Sequence, residues 1–274
     1  MPDSPALEAG VMPGDLIAYV NGQPMTELGY SSALSMLRGE EKTFAEMTVL
    51  RDGKLIDFKI ERRKITDYTV YSHVYPGNPD VGVVQILEFD SGTPLQFKAA
   101  LRELEAKGVK KLVFDVRNNP GGQLDSIKDV LDHLLPEGVI IRIQDAAGKE
   151  ETLMSDASQV DMPMMVLVNR NTASAAELFA SALRDYNKAK LVGETTYGKG
   201  TTQTMMPLYD GSAISVSQNT YSPPLSENYE GVGLAPDVEV ELPREIANKS
   251  VFLLGESEDL VLIAAVNELT KENN

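Results

Sequence analysis

Short apolar runs of strand length alternate with helical patterns through the middle of the chain, and this alternation limits the fold more than any other feature. Three such runs are VGVVQIL (81–87), KKLVFDV (110–116) and MPMMVLVN (162–169). Between them lie segments with apolar residues at helical spacing, such as SAAELFASALRDY (174–186). Strands that alternate with helices indicate a layered α/β core, so we predict a mixed α/β (α+β) fold.

Three further segments extend this pattern. A helix is predicted over 94–108 and ends at Gly108, a C-cap residue. Residues 203–221 predict a β-hairpin around Asp210-Gly211, and residues 256–269 predict a helix packed on the core. The first of these helices carries Leu95, Phe97, Leu101 and Leu104 along its length.

The first 65 residues follow a different pattern. AGVMPGDLIAYVNGQPM (9–25) predicts a strand over Leu16–Val20 that ends in a tight turn at Asn21-Gly22, because both residues tolerate positive φ. A helix is predicted within 30–37, and two strands are predicted on either side of Asp52-Gly53.

Composition excludes several functions. The formal net charge is −16, from 25 basic and 41 acidic residues, with no basic cluster. Because phosphate backbones are bound by clustered Lys and Arg, we predict no nucleic-acid partner. The absence of cysteine excludes thiol catalysis, disulfides and thiolate metal sites. The two histidines, His73 and His133, are predicted to be structural, with His133 near the C-terminal end of a helix.

RNNPGGQ (117–123) follows an apolar strand and precedes a predicted helix. Backbone N–H groups that converge before a helix can bind an anion, and the helix dipole adds to the attraction. The alternative interpretation is an ordinary turn rich in turn-forming residues.

NTASAAELF (171–179) places Ser174 three residues before Glu177, the spacing of a capping box. A serine that only caps a helix satisfies this pattern. A serine at a helix N-terminus after a buried strand can also be a nucleophile, because developing negative charge meets free N–H groups there.

GETTYGKGTTQ (193–203) differs from a phosphate-binding loop by one residue, since Gly200 stands where the magnesium-binding hydroxyl is needed. The segment that follows is β-like, whereas a nucleotide loop opens a helix. Lys199, flanked by Gly198 and Gly200, can instead approach other backbone closely. The alternative to phosphate binding is a lysine that does different work between its two glycines.

Four motifs occur in one order: SPALEAGVMPGDLIAYVNG (4–22), DVRNNPGG (115–122), the run 171–203, and GVGLAPDVEV (231–240). In this order they resemble the carboxyl-terminal processing, or tail-specific, proteases, over nearly the whole chain. The resemblance implies a crotonase-like protease core and a Ser–Lys dyad. One departure is Ala176, where the family more often has a second serine.

Site roles follow from the resemblance residue by residue. It implies that Ser174 is the nucleophile, Lys199 the general base, and Gln203 a support for the dyad. The oxyanion hole would use the backbone N–H of Ala175 with that of Gly121 or Gly122. No metal and no cofactor are implied.

The first motif also resembles part of a PDZ domain. We therefore predict an N-terminally truncated PDZ domain over 1–65, a protease core over 66–244 and a C-terminal helical extension over 245–274. A PDZ domain normally opens with two more strands and a carboxylate-binding loop, so we expect a further natural N-terminal segment.

The predicted function is a serine endopeptidase that cleaves proteins near their C-termini. Its partners would be proteins or peptides with accessible C-terminal tails, and self-assembly into a homo-oligomer stays open. The resemblance implies an extracytoplasmic location, in the periplasm or at the cell surface. Two alternatives remain: a non-catalytic peptide-binding PDZ scaffold, and a crotonase-like acyl-CoA enzyme, against which the acidic charge argues.

Overall fold

The computed structural model describes residues 4–65, 68–156, 159–243, 251 and 254–271. The chain divides into two compact units, Met1–Asp67 and Tyr68–Asn274. The strands and helices together give a mixed α/β structure, as predicted.

The first unit is built on one antiparallel sheet. Its elements are α1 (Pro5–Glu8), β1 (Leu16–Val20), β2 (Gln23–Pro24), α2 (Met25–Leu37), β3 (Phe44–Arg51) and β4 (Lys54–Glu61). The strands of the sheet follow the order β2–β1–β3–β4. The predicted turns are confirmed: φ is 48° at Asn21 and 49° at Asp52, and the glycine after each also has positive φ. Helix α2 begins five residues earlier than predicted and is interrupted at Gly29, where φ is 69°.

The second unit contains two sheets. Its elements are β5 (Val70–Val74), β6 (Val81–Ile86), α3 (Thr93–Ala106), β7 (Lys111–Asp115), α4 (Leu124–Asp132), β8 (Gly138–Gln144), β9 (Glu150–Ser155), β10 (Met164–Val168), α5 (Ala175–Asp185), β11 (Ala189–Gly193), β12 (Thr201–Pro207), β13 (Ala213–Ser222), β14 (Val238–Glu239) and α6 (Leu260–Lys271). The six-stranded sheet has the order β14–β11–β10–β7–β6–β5 and is parallel except for the antiparallel β5–β6 pair. The other sheet is antiparallel and has the order β12–β13–β8–β9.

Both faces of the parallel sheet are buried. In β7, Leu112 and Phe114 pack into a cluster with residues of α3, α4 and α5, whereas Val113 packs into a second cluster with residues of α6. A strand that is buried on both sides needs apolar residues at every position. This is why the central strands are continuous apolar runs in the sequence.

Helix α3 buries only one of its sides. Leu95 is 78% exposed, whereas Phe97, Leu101 and Leu104 are buried. Residues two apart on a helix point to nearly opposite sides, so Leu95 and Phe97 cannot both face the core.

The predicted hairpin is confirmed as β12 and β13, which turn at Asp210-Gly211. The far end of β13 pairs with β8, and the Tyr221 N–H donates to the Gly200 carbonyl at 2.9 Å. This pairing places the end of β13 beside the segment that carries Lys199.

A buried ion cluster joins β7 to the last helix, whose packing on the sheet was predicted. The Arg117 guanidinium donates to both carboxylate oxygens of Asp115 and to both of Asp259, at 2.6–2.9 Å. Asp259 also accepts from the Leu262 N–H at 3.1 Å, just inside α6. The cluster therefore ties the start of the RNNPGG segment to the N-terminus of α6.

No helix within the described ranges is long and apolar enough to cross a bilayer.

We predict that Arg117→Ala lowers the free energy of unfolding by about 3–5 kcal/mol, because it leaves the buried carboxylates of Asp115 and Asp259 without the cation that compensates them. Chemical denaturation measures this. The control is Glu103→Ala, which removes an exposed ion pair with Lys107 and should cost less than about 1 kcal/mol. Equal small losses in both variants would contradict a stabilising role for the cluster.

Candidate active site

The glycine-rich turn after β7 lies directly against the segment that carries Ser174. A Cβ atom on Gly121 would stand 2.7 Å from the Ser174 Cβ, and one on Gly122 would stand 2.1 Å from the Phe89 carbonyl oxygen. Their φ angles are 101° and 144°. Side chains are excluded at both positions by contact and by backbone conformation.

Asn119 holds this turn in place. Its buried side chain donates to the Ile86 carbonyl at 2.9 Å and accepts from the Gly121 N–H at 2.8 Å. Its own carbonyl accepts from the Ala173 N–H at 3.0 Å. The turn is thereby fixed to β6 on one side and to the residue before Ser174 on the other.

Ser174 stands immediately before α5 with φ 56° and ψ −122°. A non-glycine residue rarely adopts this conformation, and it costs about 1–3 kcal/mol, maintained by the surrounding structure. Such strain is found at functional sites, as in the sharp strand-to-helix turn that exposes the serine of α/β-hydrolases. The conformation therefore marks Ser174 as more than a helix cap.

A cleft of about 470 Å³ has Ser174 in its wall. Its other lining residues include Gly122, Ala175, Lys199, Gln203 and Tyr221. The structure thus brings the predicted serine, lysine and glutamine to one cavity, although the chain places them as far as 29 residues apart.

Glu177 joins the serine and lysine segments. Its fully buried carboxylate accepts from the Ser174 N–H at 2.9 Å, as the capping-box spacing predicted. It also accepts from the Thr196 hydroxyl at 2.6 Å and from the N–H groups of Gly198 and Lys199 at 2.7 and 2.8 Å. One carboxylate therefore sets the backbone of both segments.

Lys199 lies half-buried at the cleft, and its Nζ donates to Gln203 Oε1 at 3.0 Å. Within the described part of the chain, no hydrogen bond joins Nζ to Ser174 Oγ. The flanking glycines permit close packing, since a Cβ on Gly198 would stand 2.7 Å from the Gly233 N. The segment continues into β12, not a helix, so the nucleotide-loop alternative is wrong.

Two backbone donors remain available beside Ser174. The N–H groups of Gly122 and Ala175 have no hydrogen-bond acceptor among the residues that the structure describes, and both residues line the cleft. The Gly121 N–H, in contrast, is donated to Asn119. Of the two predicted glycines, Gly122 is the one with a free donor.

Tyr221 and Tyr229 are site residues that the sequence did not reveal. Tyr221 Oη lies 3.3 Å from Ser174 Oγ, and the Tyr229 hydroxyl lies 3.4 Å from the Ser174 carbonyl oxygen. Burial raises the pKa of Tyr221 to about 12 and that of Tyr229 well above its usual value. Both phenols therefore stay neutral at physiological pH. Neither tyrosine belongs to a motif, so no sequence signal pointed to them.

Neither histidine lines the cleft. His133 is the C-cap residue of α4, as predicted, and burial lowers its pKa. His73 pairs with Glu256 at 2.7 Å. Among the described residues, no three His, Asp or Glu side chains are grouped as metal ligands.

Comparison with known proteins adds independent information. The model of peptidase family S41 matches residues 80–240. CtpA-like serine proteases of Staphylococcus epidermidis and Staphylococcus aureus are each 34% identical, over 89% and 94% of this chain. The matches cover 50% and 53% of those relatives, so the chain spans about half their length.

Solved structures show the same fold. The photosystem II D1 C-terminal processing protease is 31% identical, with a TM-score of 0.58 over 88% of this chain and 66% of that one. A Bacteroides fragilis protein assigned to the S41 proteases has a TM-score of 0.73 at 20% identity, over all of this chain and 77% of its own.

The strained φ of Ser174 generates a stability prediction. Ser174→Gly should be at least as stable as Ser174→Ala, because glycine adopts positive φ freely and the relief of about 1–3 kcal/mol offsets its larger loss of chain entropy. Thermal unfolding of the two variants measures the difference. A Ser174→Gly protein clearly less stable than Ser174→Ala would show that the serine conformation is not strained.

Proposed function

Because the chain belongs to peptidase family S41, we propose that it is a serine endopeptidase in which Ser174 is the nucleophile and Lys199 the general base. The observation that carries the proposal is the strained Ser174 at the start of α5, in one cleft with Lys199 and two free backbone N–H groups. A nucleophile, a base and an oxyanion site are the parts that acyl transfer needs.

In the proposed reaction, Ser174 Oγ attacks the carbonyl carbon of the scissile bond and its proton passes to the neutral amine of Lys199. A neutral amine has two N–H bonds and one lone pair. Donation of one N–H to Gln203 Oε1 leaves the lone pair free to turn toward Oγ. Lys199 then returns the proton to the leaving amine and activates the water that releases the acyl group.

The negative charge of the tetrahedral intermediate would be stabilised by the N–H groups of Ala175 and Gly122. Ala175 is the first residue of α5, so the positive end of the helix dipole acts on the same oxygen. Gly121 is the weaker candidate, since its N–H is already donated to Asn119.

We further propose that the substrates are proteins with accessible C-terminal tails, cleaved near their ends. The support is the resemblance to C-terminal processing proteases, one of which carries that activity in its name. The first unit would present the tail as a PDZ-like domain. An extracytoplasmic location fits the absence of cysteine, because free thiols are oxidised there.

The dyad predicts that Lys199→Arg, like Lys199→Ala and Ser174→Ala, lowers kcat on an unfolded test protein by at least about a thousandfold. A guanidinium stays charged and cannot accept the serine proton. Lys107→Arg, an exposed lysine far from the cleft in sequence, is the control and should keep full activity. Substantial activity in Lys199→Arg would refute the role of Lys199 as base.

A further inference from the structure

The hydroxyl group of Tyr221 touches both members of the proposed dyad. Tyr221 is 4% exposed and lies at the end of β13. Its Oη stands 2.6 Å from the Lys199 carbonyl oxygen and 3.3 Å from Ser174 Oγ. Its backbone N–H donates to the next carbonyl, that of Gly200. Both the side chain and the backbone of Tyr221 therefore hold the Lys199 segment.

The single proton of the Tyr221 hydroxyl determines which of these two contacts it donates to. A phenol has one proton to donate, and a carbonyl oxygen can only accept. The contact with the Lys199 carbonyl is the shorter of the two, so the phenol proton goes there. The Tyr221 oxygen then retains lone pairs, and the Ser174 hydroxyl can donate to it.

The environment keeps the phenol in its protonated form. Burial raises the pKa of Tyr221 to about 12, and the nearby carboxylates of Glu177 and Glu230 act in the same direction. The hydrogen bonds with Ser174 and Tyr229 lower the pKa, but by less. A phenol that stays protonated cannot take the serine proton, so Tyr221 is not a second base.

We propose that Tyr221 is a positioning residue that sets both halves of the dyad from one oxygen atom. It fixes the Lys199 backbone by donating to its carbonyl, and it holds the Ser174 hydroxyl in the resting enzyme, where Lys199 Nζ is bonded to Gln203. During attack the Ser174 hydroxyl turns from Tyr221 Oη to Lys199 Nζ, which takes its proton, while the Tyr221 hydroxyl keeps its own proton and continues to donate to the Lys199 carbonyl. This inference rests on the proposed function.

The test compares Tyr221→Phe with Tyr186→Phe in the whole chain. Tyr186 is a matched control because its hydroxyl donates to the Val139 carbonyl at 2.9 Å, beyond the far end of α5 from Ser174. Each variant loses one tyrosine-to-carbonyl hydrogen bond. The readouts are kcat and KM on a fluorogenic peptide, the rate at which a fluorophosphonate labels Ser174, and the thermal unfolding midpoint.

We expect Tyr221→Phe to lower kcat roughly ten- to a hundredfold, with KM within about twofold and labelling slowed in parallel. Tyr186→Phe should keep wild-type kcat and labelling. Assays run well below each variant's own midpoint keep the comparison valid if the two differ in stability.

Wild-type kcat and labelling in Tyr221→Phe would overturn the inference, as would an equal loss of kcat in Tyr186→Phe or a change confined to KM. In each of these cases the proposed function stands, provided that Ser174 of the wild-type protein is labelled and Ser174→Ala is inactive. Failure of wild-type labelling would overturn the proposed function, and the inference with it.

Discussion

The buried carboxylate of Glu177 is the interaction on which the arrangement of the cleft depends. Hydrogen bonds to an ionised acceptor are stronger than neutral ones, and Glu177 accepts four, from two segments separated in the chain. One donor is the Ser174 N–H, and the other three lie in residues 196–199: the Thr196 hydroxyl and two backbone N–H groups. The relative position of the serine and lysine segments is thus set by one side chain that reaches neither reacting atom.

The other parts of the cleft are held against the serine and lysine segments in a similar way, by side chains that hydrogen-bond to backbone groups. Asn119 anchors the glycine turn to the residue before Ser174, and Tyr221 anchors the Lys199 carbonyl. The strained φ of Ser174 is maintained by this set of contacts. Strain of this kind persists only where surrounding structure over-determines the backbone.

Much of the core could be predicted from the sequence because its strands are buried on both faces, which leaves continuous apolar runs such as 110–116. Strand β9 was not predicted, since its residues are mostly exposed and polar and no pattern separates them from a loop.

For the site, the family resemblance pointed to Ser174, Lys199 and Gln203, which the structure places in one cleft, and the capping-box spacing pointed to Glu177 as a partner of Ser174. It could not show that Glu177 also binds the lysine segment, because that contact depends on tertiary folding. The role of Tyr221 could not be predicted for the same reason, since the sequence does not distinguish a strand tyrosine that packs in the core from one that orients site residues.

The Arg117–Asp259 contact has a consequence for the order in which the protein assembles. The two residues are 142 positions apart in the chain. Closing so long a loop costs conformational entropy, which the chain loses before the contact can stabilise the fold. Until α6 docks, Arg117 has only Asp115 as a buried partner. The glycine turn begins four residues after Arg117, so its final anchoring waits for the last helix of the chain, and a truncated or incompletely synthesised chain would lack it.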